Sequence, residues 1–382
     1  MPAPRAISRA AVLQNLLTDH YSSPIAVDRW ERLEPWAVAR VGLRGAAAPR
    51  SVVVKWVEAD PTETRAAAWR LRTEHAALQF LGDVVGGGLA PRVIAADITA
   101  GLLVLEDLAP RVALDQLLRR DGATTHSERL AAFSHALGEL GAATAGQAAA
   151  YYARRAALGP VDPAADRAGR LARFREGAIE HAMALGAPLA GRAATELTAL
   201  LDELHEPGPF LALSNGDAEA NNILLHASGP TDARLIDFEF ADYAHALTDA
   251  VCLHVPGPAW ITVGDPTATG LADHYRRTLV RGIPEAEDDR RYGFGLAAAC
   301  MSWALVRLQR FPLLDTRSAG DDSRLQLIET LEAAARTAQS HSTLPHLTAW
   351  IRRIASVLRC RWPDSDQDFL DPMSFPPYRA RR

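Results

Sequence analysis

Residues 214–225 read SNGDAEANNILL, and residues 233–240 read ARLIDFEF. Three of the chain's four asparagines, Asn215, Asn221 and Asn222, fall in this first stretch beside Asp217. A carboxamide supplies a neutral metal-ligating oxygen and a carboxylate supplies a charged one. The runs PFLALS (209–214), NILLHA (222–227) and ARLIDFE (233–239) are too short for helices and read as strands. They carry Asp217, Asn222 and Asp237 on loop edges, although Asn and Asp are also the residues that turns prefer.

Charge points to the same stretch. Residues 201–250 hold ten acidic groups and one basic group, whereas the whole chain of 382 residues has a net charge of only -5. A divalent cation or a cationic substrate would relieve such an excess. Asp202, Glu203 and Glu206 read as solvated surface carboxylates. Of the 41 basic residues, Lys55 is the one lysine. Arginine replaces lysine on a solvated surface, but not where a compact ammonium on a slim stem must reach a phosphate or a carboxylate.

Outward from these residues the chain divides by periodicity. Residues 6–20 read as an opening helix. AVARVGLR (37–44) and SVVVKWVEA (51–59) flank a small-residue turn and form a hairpin with Lys55 late on its second strand. Residues 62–84 form an amphipathic helix with Glu74 near its middle and Thr62 as its cap. RVIAAD and GLLVLEDL are two further strands, with a turn near Thr99–Gly101. From residue 110 the pattern is mainly helical (112–120, 127–157, 164–185, 190–205 and much of 270–360), and a Pro-rich, loosely ordered tail follows from 363. The fold class is therefore α+β, a small sheet followed by a mainly α part.

A strand lysine, a helix glutamate 19 residues later, an Asp-x-x-x-x-Asn and an aspartate 20 residues after the first are the parts of phosphoryl transfer. The lysine neutralises phosphates and the glutamate holds it. One aspartate orients or deprotonates a hydroxyl, and the asparagine and last aspartate bind magnesium.

VVVKW around Lys55, RTEHAALQFL around Glu74, APRVIAADITAGLLVLEDL, NGDAEANNILL and LIDFEFADYAHALTDAV resemble the aminoglycoside phosphotransferase and choline kinase family. They span residues 50–250 in that family's order. The resemblance implies a bilobal protein-kinase-like fold, with a small β-rich nucleotide-binding lobe (1–108) and a larger helical lobe (109–382). The second lobe would hold the catalytic loop (214–239) and the acceptor-binding helices. It implies Asp217 as catalytic base, Asn222 and Asp237 as magnesium ligands, and Lys55 as the phosphate-binding lysine paired with Glu74. Glu106, Asp107 and Leu108 would be the adenine-contacting hinge through backbone groups, and Asp249 would brace the catalytic loop. The implied activity is transfer of a γ-phosphate from ATP, or GTP, to a hydroxyl of an aminoglycoside-like or related alcohol, with antibiotic resistance as the associated role. A choline-kinase-like enzyme and a catalytically weak kinase-like binding protein are the alternatives.

Two departures from the family's pattern stand out. Asn215 takes the place of a loop-supporting histidine, and an amide donates a similar bond but has no imidazolium state. LEPWAVARVGLRG before Lys55 lacks clustered glycines. No DFG-to-APE pattern follows Asp237, which disfavours a protein acceptor. Glu239 reads as a surface group, and His226, His245 and His254 lack metal spacing and read as structural. Ser214 lacks the pattern of a hydrolase nucleophile.

Composition sets the remaining expectations. With 48% hydrophobic and 23% charged residues, disorder and polycationic nucleic-acid binding are excluded. Cys252, Cys300 and Cys360 are too few for a disulfide framework. No signal-peptide core or membrane-length apolar run is present in the sequence, so a cytoplasmic protein without nucleic-acid or membrane partners, monomeric or homodimeric, is expected.

Overall fold

The alternation in SVVVKW decides how the first part of the chain is built. Successive side chains of a strand face opposite sides, so Val52, Val54 and Trp56 are buried on one face while Val53 and Lys55 point to the other. The computed structural model describes residues 9–33, 37–57, 64–168, 172–365 and 377–381.

The chain begins with α1 (Arg9–Tyr21), β1 (Ala26–Arg32), β2 (Val38–Arg44), β3 (Ser51–Trp56), α2 (Thr64–Val85), β4 (Val93–Asp97) and β5 (Leu102–Glu106). It continues with β6 (Val112–Ala113), α3 (Leu114–Asp121), α4 (Ser127–Thr144), α5 (Ala148–Leu158), α6 (Pro163–Ala168), α7 (Ala172–Ala184) and α8 (Gly191–His205). Short elements follow: β7 (Leu211–Ser214), β8 (Ile223–Leu225), β9 (Arg234–Leu235), β10 (Asp242–His245), α9 (Val251–His254) and β11 (Trp260–Thr262). The last are α10 (Leu271–Leu279), α11 (Asp289–Leu308), α12 (Phe311–Asp315), α13 (Asp322–Ser340), α14 (Pro345–Arg361) and β12 (Arg379–Ala380).

Two compact units result, and the architecture is α+β. One takes residues 1–111, 149–161 and 234–241; the other takes 112–148, 162–233 and 242–382. The first holds a five-stranded antiparallel sheet in the order β1-β2-β3-β5-β4. Val41, Val52, Val54, Leu102 and Val104 of that sheet close over Leu13 and Leu17 of α1 in one apolar core. Lys55 lies on the opposite face. Leu71, Ala77, Leu78 and Leu81 of α2 are buried together with Glu74, and between Thr73 and Leu81 the helix is buried on nearly every side.

The second unit is mainly helical. Two of its small antiparallel pairs, β7 with β10 and β6 with β8, flank the loop that carries Asp217. Thr144 anchors that region to α4: its Oγ1 accepts from Leu213 N at 3.0 Å, and its carbonyl accepts from Tyr243 OH at 2.9 Å.

Several elements differ from the sequence reading. β1, which that reading passed over, has charged residues at four of its seven positions and is an edge strand with one packed face. The run 127–157 is two helices, and the chain turns between them at Gly146, whose φ is 73°. ARLIDFE contributes only two strand residues, β9. Thr62 lies outside the described residues, as do 34–36 in the glycine-poor segment before Lys55. The tail is not loose throughout: β12 pairs with β11, and Tyr378 is buried edge-on against Trp260. No helix among the described residues is long and apolar enough to cross a membrane.

Candidate active site

The first unit brings Lys55, Glu74 and Asp237 together. Lys55 Nζ donates to Glu74 Oε1 and Oε2 at 2.7 and 2.8 Å, and to Asp237 Oδ1 at 2.6 Å. Glu74 reaches it from α2 because the stripe that faces the sheet includes position 74. Asp237 arrives from 182 residues along the chain, just beyond β9. Burial by itself would lower the Lys55 pKa, but the charges of Glu74 and Asp237 outweigh it and hold the ammonium above its ordinary value. For Glu74, burial pushes the carboxyl up and Lys55 pulls it back. Asp237 sits at φ 62°, a left-handed conformation that costs a non-glycine residue free energy and concentrates at functional sites. Glu239 lies further along the same loop, 3.8 Å from Arg70.

Glu106, Asp107 and Leu108 follow β5. Their side chains are committed locally: Glu106 accepts from Arg92, and Asp107 Oδ2 accepts from Arg40 Nε at 2.9 Å and Ser51 Oγ at 2.7 Å. Leu108 is buried, and its carbonyl accepts from Arg111 N. Any nucleotide contact from Glu106 and Asp107 falls to backbone groups.

In the second unit, antiparallel pairing of β7 and β10 aligns Ser214 with Asp242 and carries the chain round to Asp249. The buried Asp249 accepts from Ser214 Oγ at 2.5 Å and from Asn215 N at 3.0 Å, so it braces the turn that presents Asp217. Burial pushes its carboxyl up to about 6, against the pull of these bonds. Asn215 accepts from Asp217 N at 3.3 Å, the short-range side-chain-to-backbone bond that a turn asparagine makes. Asn222, buried, donates to the Asp217 carbonyl at 2.8 Å and to its Oδ2 at 3.2 Å, and its own Oδ1 accepts from Asn221 at 2.9 Å. Asp217 and Asn222 are thus one hydrogen-bonded pair.

Asp217 lines a cavity of about 400 Å³ that lies wholly within this unit. The sequence reading did not single out Glu219, which lines it too. Its carboxyl occupies the space a side chain at position 257 would need, so Gly257 makes room for it. Burial, reinforced by Asp217 and opposed by Arg307, pushes Glu219 up to about 8. Nor did the sequence mark Arg175, Arg307 and Arg310, which also line the cavity and come from helices and a helix end far from the motif. No local spacing carries that information.

Two of the histidines, His245 and His254, are buried in the second unit. His245 is stacked on Phe210, accepts from Leu247 N and faces Glu203 at 3.2 Å. Burial, followed by His341, lowers His254 to about 4.

Among the described residues no group of three or more His, Cys, Asp and Glu is arranged to hold a metal. Taken one at a time, the oxygen types suit a hard cation such as magnesium: in the second unit Asn222 carries an amide oxygen, and in the first unit Asp237 keeps Oδ2 outside its Lys55 bond. Lys55 also meets more than one carboxylate, which leaves local negative charge for a cation to balance.

No family model matches the sequence, and no curated protein matches it. Similar solved structures include the choline kinase LicA from Streptococcus pneumoniae, with 15% identity over 85% of this chain and 99% of that one at a TM-score of 0.44. A Plasmodium vivax ethanolamine kinase is 11% identical over 79% and 81%, with a TM-score of 0.47. The gentamicin complex of APH(2")-IIa is 12% identical over 88% and 100%, with a TM-score of 0.43. At such distances the residues of the site carry the functional argument.

Proposed function

We propose that the protein is an ATP- and magnesium-dependent phosphotransferase acting on a hydroxyl of a small molecule, with GTP as the alternative donor. The observation that carries this reading is the chain's one lysine held by Glu74 and Asp237, residues 19 and 182 positions away. An ammonium fixed in place by residues so distant in sequence is a pre-organised contact for a phosphate that arrives with a cation to offset the two carboxylates.

In this reading Lys55 binds the nucleotide phosphates and Glu74 keeps its ammonium in place. Glu106, Asp107 and Leu108 meet the adenine through backbone groups. Asn222 and Asp237 are the magnesium ligands, and the bound ion neutralises phosphate charge. Asp217 orients the acceptor hydroxyl and takes its proton. The hydroxyl oxygen forms a bond to the γ-phosphorus, the bond from that phosphorus to the β,γ-bridging oxygen breaks, and ADP leaves with the electron pair. Asp249 and Asn215 hold the turn that aims Asp217.

Asp217→Asn tests this reading. We expect ADP release, measured across amino-sugars, sugars, choline and hydroxy acids, to fall about 10²–10⁴-fold. ATP with magnesium should still raise the melting temperature of the variant. A variant that keeps most of the activity refutes the assignment. A second reading, a kinase-like binding protein of weak activity, is favoured by Asn215 in place of a histidine. It requires nucleotide binding with no transfer to any acceptor in the same panel.

A further inference from the structure

Five carboxylates and three guanidinia line the cavity beside Asp217, so net charge does not choose its acceptor. Most of these groups are already engaged. Asp217 is bonded to Asn222, and Asp249 accepts from Ser214 Oγ and Asn215 N. Asp166, Asp242 and Arg175 have interactions of their own. Among the described residues the Glu219 carboxyl forms no hydrogen bond and no ion pair. A polar group held away from water without a partner costs free energy, which a ligand group in the cavity would recover.

The place of that carboxyl is nonetheless built. Gly257 leaves room for it. Gln326 Nε2 donates to the carbonyls of Gly257 at 2.8 Å, Pro258 at 3.0 Å and Trp260 at 2.6 Å. Gln326 is buried, and its Oε1 accepts from Arg307 Nη2 at 2.8 Å. One side chain thus fixes both the backbone against which Glu219 lies and the guanidinium in its field.

Residue 219 has an extended backbone, with φ -130° and ψ 162°. In an extended chain, residues two apart project to one face about 6–7 Å from each other, and Asp217 and Glu219 open on one cavity. Two neighbouring hydroxyls of one molecule span such a gap with a hydrogen bond of about 2.7–2.8 Å at each end. Burial, then Asp217, pushes Glu219 up to about 8. The protonated carboxyl has an O–H donor and acceptor lone pairs, the same complement as a hydroxyl. An ammonium requires the ionised carboxylate and would meet the charge of Arg307 as well. Val251, Ala299 and Trp303 offer apolar surface to a carbon skeleton.

We propose that Glu219 sets acceptor specificity by hydrogen bonding a second, neutral hydroxyl beside the one that Asp217 activates, so that the acceptor is a polyol. This inference rests on the phosphotransferase reading for the fate of the first hydroxyl, but not for the binding of the pair.

The test reads binding apart from turnover. Cyclohexanol, 1,2-cyclohexanediol in both configurations, 2-aminocyclohexanol and myo-inositol share a six-membered ring and differ in what stands beside one hydroxyl. Binding would be followed by titration calorimetry and turnover by ADP release, on the wild type, Glu219→Ala, Glu219→Gln and Gly257→Ala. A diol or inositol should bind and react ahead of cyclohexanol and the amino alcohol. Glu219→Ala should raise Kd and KM for it about tenfold and leave kcat nearly unchanged, because binding common to ground and transition states is lost. Glu219→Gln keeps a neutral donor and acceptor and should restore most of the affinity. Gly257→Ala should act like Glu219→Ala, since its methyl takes the space of the carboxyl and only the end of a flexible side chain must yield. Wild-type affinity in Glu219→Ala or Gly257→Ala, a Glu219→Gln variant as weak as Glu219→Ala, a preference for the amino alcohol, or no binding of any diol or inositol overturns the proposal. Diol binding that depends on Glu219, with no ADP released from any member of the series, instead overturns the phosphotransferase reading and leaves the hydroxyl site standing.

Discussion

Lys55 and Glu219 show how differently two charged residues of one protein can be read. Lys55 stands out in composition because every other basic position is arginine, and its bonds to Glu74 and Asp237 explain why a broad guanidinium does not replace it. Glu219 looks like any loop carboxylate. Only the fold, by burying its carboxyl over Gly257 and setting Asp217 beside it, raises its pKa from 4.5 to about 8. The folded state then keeps a proton that the unfolded chain releases, so this group makes stability fall as pH rises from about 4.5 to 8. Asp217 and Arg307 are the charged groups that face it. Glu219→Gln should remove that slope. Its melting temperature should gain on the wild type progressively between pH 5 and pH 8, and a constant difference across the series would refute the assignment.

At the scale of elements, strong periodicity translated well and short strands did not. α2 was legible because its apolar stripe recurs at helical spacing and includes Glu74. β3 was legible because Val52, Val54 and Trp56 alternate with Lys55. β6 and β9 are two-residue strands, defined by the partners they meet and not by any preference of their own residues. β1 was missed because its charged residues are tolerated at a sheet edge. The crossing of α4 and α10 was invisible too, since it depends on Gly138 lying against another helix's backbone. A Cβ there would stand 2.6 Å from the Tyr275 carbonyl oxygen and 3.0 Å from Thr278 Cβ. Gly138→Ala should cost roughly 1–3 kcal/mol, because backbone cannot yield as a side-chain tip can. Denaturant unfolding checks this: the midpoint should fall, and an unchanged midpoint would show that the crossing is looser than described.

At the scale of the whole molecule, neither compact unit is continuous in sequence. Asp237 joins Lys55 and Glu74 because residues 234–241 return to the first unit, while Asp249 belongs to the second. The tail joins the second unit through β12, with Tyr378 on Trp260. Deleting residues 377–382 forfeits the burial of one aromatic side chain, roughly 2–3 kcal/mol, and should lower the melting temperature by roughly 5 °C. A melting temperature left unchanged would mean that the β11–β12 pairing is marginal. The sequence by itself determined the α+β class, the pairing of Lys55 with Glu74 and the Asp217-to-Asn222 turn, because these rest on local periodicity, rare residue types and short spacing, whereas the bond from Lys55 to Asp237 came only with the fold. Tertiary structure alone decided the left-handed backbone of Asp237, the raised pKa of Glu219 and the arginines that line the cavity. Burial and long-range charge are set by residues that meet only when the chain has folded.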